Sequence, residues 1–271
     1  MDALRHFLLA VQFFTRIPMP AWLAAWVGFS PALQRASTAY WPAVGWVVGL
    51  LTGALYLGLM PWLPDAAATP WLLAVVSTAF TAWLTGGLHE DGLADLADGL
   101  GGSRDPARSL AIMKDSRVGA SGVLALVLLL QAKVAALALL GDMAPELAAA
   151  ALLAGHVVSR TLPLLLIRTL PYVGDAGHSK SVGQVGQIST PALLVATVWT
   201  LLALVGVAWW LPEVNWVWAV LAAALALVVV WRLLAVRLQG YTGDALGAAQ
   251  QVCELAFYLG LALSLSWMQP V

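Results

Sequence analysis

The chain has 271 residues, 61% of them hydrophobic and only 10% charged, against about 25% charged in soluble domains. That balance excludes an ordinary soluble fold and points to a helical protein that crosses a membrane several times. The formal net charge of −1 carries no basic excess, so no bulk electrostatic bias points to nucleic acid, and none is expected as a partner.

Residues 1–35 read as a cytoplasmic, partly interfacial segment. The apolar run FLLAVQFF (7–14) is too short to span, and it ends at Arg16 and IPMP rather than at a small-residue cleavage site. Pro18, Pro20 and Pro31 prevent one long helix through the segment. A span needs about 20 mostly apolar residues, and seven stretches fit: roughly 40–61, 70–87, 118–140, 146–167, 191–211, 214–231 and 251–268. The predicted fold is therefore all-α, a polytopic integral membrane helical bundle of about seven transmembrane helices, with residues 1–271 forming one membrane domain. The second stretch is short, and its inner end merges with the polar motif that follows.

The polar connections test the topology. Those after the first, third and fifth spans hold Asp65, Asp142, Glu146 and Glu213 and no Lys or Arg. The opposite side carries Arg5, Arg16 and Arg35, then Arg104, Arg108, Lys114 and Arg117, then Arg168, Lys180, Arg232 and Arg237. The positive-inside rule places the N-terminus and the basic loops in the cytoplasm and the C-terminus outside. Lys133 and Arg160 are the cations that fall within spans.

Residues 89–117 hold more than a third of the chain's charged residues. Within GGLHEDGLADLADGLGG (86–102), Asp91, Asp95 and Asp98 are spaced four and three apart, within about 60° of arc on one helix face. Bare carboxylates so aligned repel one another, and a divalent cation relieves that. Oxygen ligands suit Mg²⁺, which commonly joins one or two carboxylates to substrate phosphates. The plainer reading is a solvated charged face, but the stripe is purely acidic and its neighbours Leu93, Ala94, Leu96 and Ala97 are apolar. His89 is a candidate base, ligand or phosphate contact if it lies in the lead-in turn; a histidine capping the helix start is the rival. Glu90 projects about 100° from Asp91 and is a weaker candidate.

Beyond it, Asp105 before Pro106 is a helix-start signal. The helix is expected to carry Arg104 and Asp105 at its entrance, then Arg108, Lys114, Asp115 and Arg117, with Arg108 and Asp115 on one face. Cations beside an acidic cluster are what a metal-bound phosphate requires; membrane anchoring explains the cations but not Asp115. Two further islands lie on the same side. RTLPYVGDAGHSKSVGQ (168–184) offers His178 and Lys180, and RLQGYTGDALGAAQQVCE (237–254) offers Thr242 and Asp244 among glycines. Arg160, about two turns inside the fourth span, is expected to face a polar cavity, and Glu254 the site or a cation.

Four stretches, FFTRIPMP (13–20), GGLHEDGLADLADGL (86–100), IMKDSRVGASG (112–122) and GYTGDALGA (240–248), resemble the cobalamin synthase (adenosylcobinamide-GDP ribazoletransferase) family. They occur in family order across nearly the whole chain, and the pattern HxDGLADxxDG covers His89, Asp91, Asp95 and Asp98 while leaving Glu90 variable. The 168–184 loop matches least. The resemblance implies an Mg²⁺-dependent enzyme of the bacterial inner (plasma) membrane, with its site facing the cytoplasm. Its substrates would be adenosylcobinamide-GDP and α-ribazole or α-ribazole 5′-phosphate, joined with release of GMP. Membrane lipid would surround it, and a homo-oligomer stays open as a further partner. The acidic motif is also loosely similar to that of CDP-alcohol phosphotransferases, but lacks the DGxxAR start.

The rivals are a CDP-alcohol-type phosphatidyltransferase, a cation-coupled transporter and a non-catalytic scaffold. A transporter calls for charges near mid-span and broken helices there, whereas the acids here cluster at one membrane face beside arginines. A scaffold gives no reason for three aspartates in register.

Overall fold

The structure is a computed structural model and describes residues 2–174 and 188–266. Their regular structure is helical, apart from one parallel bridge between Tyr172 and Tyr241. The N-terminal segment breaks where its prolines stand. α1 (Asp2–Phe14) ends before the Arg16–Pro20 stretch, α2 (Ala21–Val27) follows Pro20, and α3 (Pro31–Ser37) opens on Pro31. The Ser30 hydroxyl caps α3 by accepting from Leu33 N–H at 3.1 Å. One 3₁₀ turn, Thr38–Tyr40, joins α3 to α4 (Trp41–Leu59), so the first membrane-length stretch runs over residues 31–62 and starts well before residue 40.

α5 (Thr69–Thr85) and α6 (Leu88–Gly102) meet at 90°. α7 (Pro106–Met113) is short. Then come α8 (Ala120–Met143), α9 (Pro145–Thr161), α10 (Leu164–Thr169), α11 (Thr190–Trp210), α12 (Val217–Arg237) and α13 (Gly243–Ser266). Six of these stretches are long and apolar enough to cross a membrane, or seven when α5 and α6 count as one bent span. This agrees with the bundle expected from hydropathy.

Two boundaries differ for a physical reason. α13 starts at Gly243, not near 251, and α12 runs on to Arg237. Asp244, Gln250, Gln251 and Glu254 lower the local hydropathy, yet most of these polar groups find partners inside the bundle, so the helix continues through them.

α9 is the centre of the bundle. Nearly every residue from Leu147 to Arg160 is buried, the polar His156, Ser159 and Arg160 included. α4 lies against it through Gly45, Gly49 and Gly53. A Cβ at Gly45 would stand 2.5 Å from the His156 carbonyl oxygen, and one at Gly49 2.7 Å from Leu153 Cα. Small residues every fourth position let two backbones approach this closely. A second, smaller core joins the N-terminal segment to the bundle: Ala10, Val11 and Phe14 of α1 pack on Val44, Val48 and Leu84.

Candidate active site

Gly86 and Gly87 both hold φ +71°, a conformation that glycine adopts without strain, and they turn the chain sharply from α5 into α6. The turn also leaves room for Arg16. A Cβ at Gly86 would stand 2.7 Å from Arg16 Nε, and the Arg16 backbone N–H donates to the Leu84 carbonyl at 2.7 Å. FFTRIPMP is thus docked on the start of the acidic helix.

The other motifs reach the same helix. Gly92 lets α6 cross the start of α13, where a Cβ would lie 2.6 Å from the Asp244 carbonyl oxygen, and Gly247 faces the His89 backbone. At the far end, the Asp98 carboxylate accepts the N–H groups of Gly119 (2.6 Å) and Gly122 (2.8 Å), capping α8. Arg237 closes the C-terminus of α6 by donating from Nη2 to the carbonyls of Leu100 and Ser103, both at 2.8 Å.

α6 therefore carries its aspartates in three settings. Asp91 is exposed and lines a cavity of about 240 Å³. Asp95 lies between and feels the charges of Asp91, Asp98 and Asp244. Asp98 is bound to the α8 entrance. Asp244 also lines the cavity, beside Asp91. His89 falls inside α6 rather than in a lead-in turn. It is 4% exposed, stacks on Phe14 (centroids 5.6 Å apart, planes at 8°) and borders the same cavity. Arg160, 2% exposed, borders it from α9; its Nη1 donates to the His156 carbonyl at 3.1 Å, and its Nε is buried without a partner.

The basic candidates are placed differently. Asp105 caps α7 as expected, accepting from Arg108 N–H at 2.9 Å. The helix stops at Met113, so Lys114 is its C-cap, and Asp115 and Arg117 fall in the turn beyond. The expected shared helix face of Arg108 and Asp115 does not form, because the helix ends between them. Arg117 instead donates from Nε to Asp115 Oδ1 at 2.9 Å. Those hydrogen bonds hold the exposed Asp115 carboxyl down at about 2, and the pair stays charged at any ordinary pH. Arg104, Arg108, Lys114 and Arg117 are exposed and do not line the cavity. Thr242 is buried, with its hydroxyl accepting from Ala245 N–H at 3.1 Å to cap α13. His178 and Lys180 lie outside the described residues.

Inside the bundle is a polar network that hydropathy alone does not reveal. Glu254 pairs with Lys133 at 2.8 Å, both about 1–2% exposed. It also accepts from Tyr258 Oη (2.9 Å) and Gln250 Nε2 (2.6 Å), and His156 Nδ1 lies 3.5 Å from its Oε2. Gln251 links the network outward, accepting from Lys133 Nζ and donating to Glu90 Oε1, both at 3.1 Å. Glu90 thus leaves the acidic stripe, as its helical position implies, and turns inward. The available signal was the pair of intramembrane charges, Lys133 and Glu254, which must find compensation in hydrocarbon.

Among the described residues, no three of His, Cys, Asp and Glu are grouped as a metal cage. α6 offers two open carboxylates, Asp91 and Asp95, with Asp98 committed to a helix cap, and Asp244 stands beside Asp91. Magnesium retains waters and binds through one or two carboxylates plus substrate phosphates. The residues fit that shared mode rather than a closed protein site.

Fold and site define a polytopic helical membrane protein with a right-angled acidic helix, a neighbouring cavity and a buried arginine at that cavity. The chain belongs to the cobalamin-5-phosphate synthase family, which it matches over residues 6–262. It is 54% identical to the adenosylcobinamide-GDP ribazoletransferase of Polaromonas sp. (strain JS666 / ATCC BAA-500), covering 96% of this chain and 97% of that one. It is 53% identical to the protein of that name from Polaromonas naphthalenivorans (strain CJ2), over 97% and 99%. It is 41% identical to that of Shewanella pealeana (strain ATCC 700345 / ANG-SQ1), over 97% of each. No solved structure matches the chain.

Proposed function

We propose that the chain is an adenosylcobinamide-GDP ribazoletransferase. A hydroxyl of α-ribazole, or of its 5′-phosphate, attacks the phosphorus attached to cobinamide. The bond from that phosphorus to the bridging oxygen breaks, and GMP leaves. The product is adenosylcobalamin or its 5′-phosphate. The observation that carries this reading is the near-full-length identity to relatives of that name, with all four resembling stretches gathered on α6.

Such a transfer asks the protein mainly for positioning and charge neutralisation. Asp91, Asp95 and Asp98 are the residues that would hold Mg²⁺, Asp98 through lone pairs left over from its helix cap. A bound Mg²⁺ supplies charge neutralisation at the pyrophosphate and on the departing GMP. His89 or Asp91, both at the cavity, accepts the proton of the attacking hydroxyl. The unpartnered Nε of Arg160 is available to a phosphate oxygen. Arg104, Arg108 and Lys114 are exposed outside the cavity lining and would meet phosphate only as substrate arrives. The positive-inside pattern supports a site facing the cytoplasm from the bacterial inner membrane.

Purified protein given adenosylcobinamide-GDP, α-ribazole 5′-phosphate and Mg²⁺ should release GMP, and chelation should stop it. Asp95→Asn should lower the rate about a hundredfold or more with unchanged membrane insertion. Near-normal release by that variant would sink the metal assignment; no release from the unaltered protein would sink the reaction.

A further inference from the structure

The cavity beside α6 has two unlike walls. One comes from α6, α9 and α13 and presents Asp91, Arg160, Asp244 and Gln250. The other comes from the N-terminal segment and the start of α4, and its large residues are Phe13, Phe14, Phe29 and Trp41. Phe14 meets Trp41 edge-on at 5.0 Å and stacks on His89. Phe13 and Phe29, both in the lining, are 50% and 62% exposed. Gln34 stands in the same wall with its amide oxygen buried and without a partner.

We propose that this cavity is the subsite for the acceptor nucleoside. The planar base lies on the aromatic wall, and the ribose points its hydroxyls toward Asp91 and Asp244. The inference rests on the transfer reaction proposed above and assigns one substrate to one place.

Three features select this occupant among the parts of the two substrates. A corrin ring with its amide arms is far too large for a space of about 240 Å³. Guanine fits by size, but its edge carries a carbonyl, a ring N–H and an amino group. Gln34 Oε1 would accept from one of those N–H groups, but the other polar atoms would lie against Phe, Trp, Leu, Ile and Pro side chains, where unpaired groups disfavour such a ligand. The dimethylbenzimidazole of ribazole has an apolar methylated edge and one bare ring nitrogen. The methylated edge suits a cavity lined mainly by Phe, Trp, Leu, Ile and Pro side chains. Aromatic faces hold such a base by stacking, which is worth enough that losing one ring weakens binding about tenfold.

Phe29 and Phe13 are exposed, so replacing them leaves the core intact. Binding of α-ribazole to the purified full-length protein, without the GDP-linked substrate, should weaken about tenfold in Phe29→Ala and Phe13→Ala. In turnover, KM for the ribazole should rise by a similar factor while KM for adenosylcobinamide-GDP stays within about twofold. Unchanged ribazole binding in both variants overturns the subsite. So does a rise confined to KM for adenosylcobinamide-GDP, or displacement of bound ribazole by guanosine that weakens in Phe29→Ala. The binding arm needs no turnover. If the unaltered protein releases no GMP yet binds α-ribazole, and loses it on Phe29→Ala, the reaction fails while the subsite stands.

Discussion

The three aspartates of α6 share a helix face but not a job. Asp98 accepts two backbone N–H groups, from Gly119 and Gly122, and so ties the start of α8 to the acidic helix. An asparagine there can accept at one position only and must turn an amino group toward the other N–H. Asp98→Asn should therefore cost about 1–3 kcal/mol of stability, visible as a lower melting temperature in detergent. Asp95→Asn, whose carboxylate has no such partners among the hydrogen bonds of the fold, should melt with the unaltered protein while losing activity. If both variants melt alike, Asp98 is not a structural cap. The alignment of the acids was legible because 100° per residue fixes it. The division of labour was not, since Gly119 and Gly122 lie more than twenty residues away and only the fold brings them in.

At the scale of helices, α4 and α9 are held by absence of side chain. Gly49→Val should force the two backbones apart, because even its Cβ would stand 2.7 Å from Leu153 Cα. Expression and melting temperature should both fall. Gly58→Ala, on the same helix with nothing within 4 Å of its Cβ, should be neutral or slightly stabilising. Equal effects from the two would mean that α4 does not depend on this contact. Hydropathy alone found most of the membrane-length helices, since 20 apolar residues are a local property. It missed the true start of α13 and the right angle between α5 and α6. Both depend on partners: polar residues satisfied across the bundle in one case, and two positive-φ glycines, of which Gly86 makes room for Arg16, in the other.

Across the whole molecule, the network around Glu254 ties α5, α6, α8, α9 and α13 together. Thr81 Oγ1 lies 3.4 Å from His156 Nε2, and Gln251 bridges Lys133 to Glu90. A carboxylate this deep that is already paired with an ammonium is not free to take up a travelling cation, which weighs against the transporter reading. Lys133→Met should cost about 3–5 kcal/mol by stranding the Glu254 charge, and adding Glu254→Gln should recover part of it. A single variant that melts normally would show the pair to be dispensable.

The route by which the site closes also sets when it can exist. α6 takes its neighbours from residues 13–20, made first, and from residues 240–248, made nearly last. Until α13 enters the membrane, the cavity lacks Asp244 and Gln250, and Lys133 sits in hydrocarbon without Glu254. A chain halted before that helix is both inactive and burdened with a stranded charge. The cavity and the buried ion pair are therefore complete only once the last helix is in place.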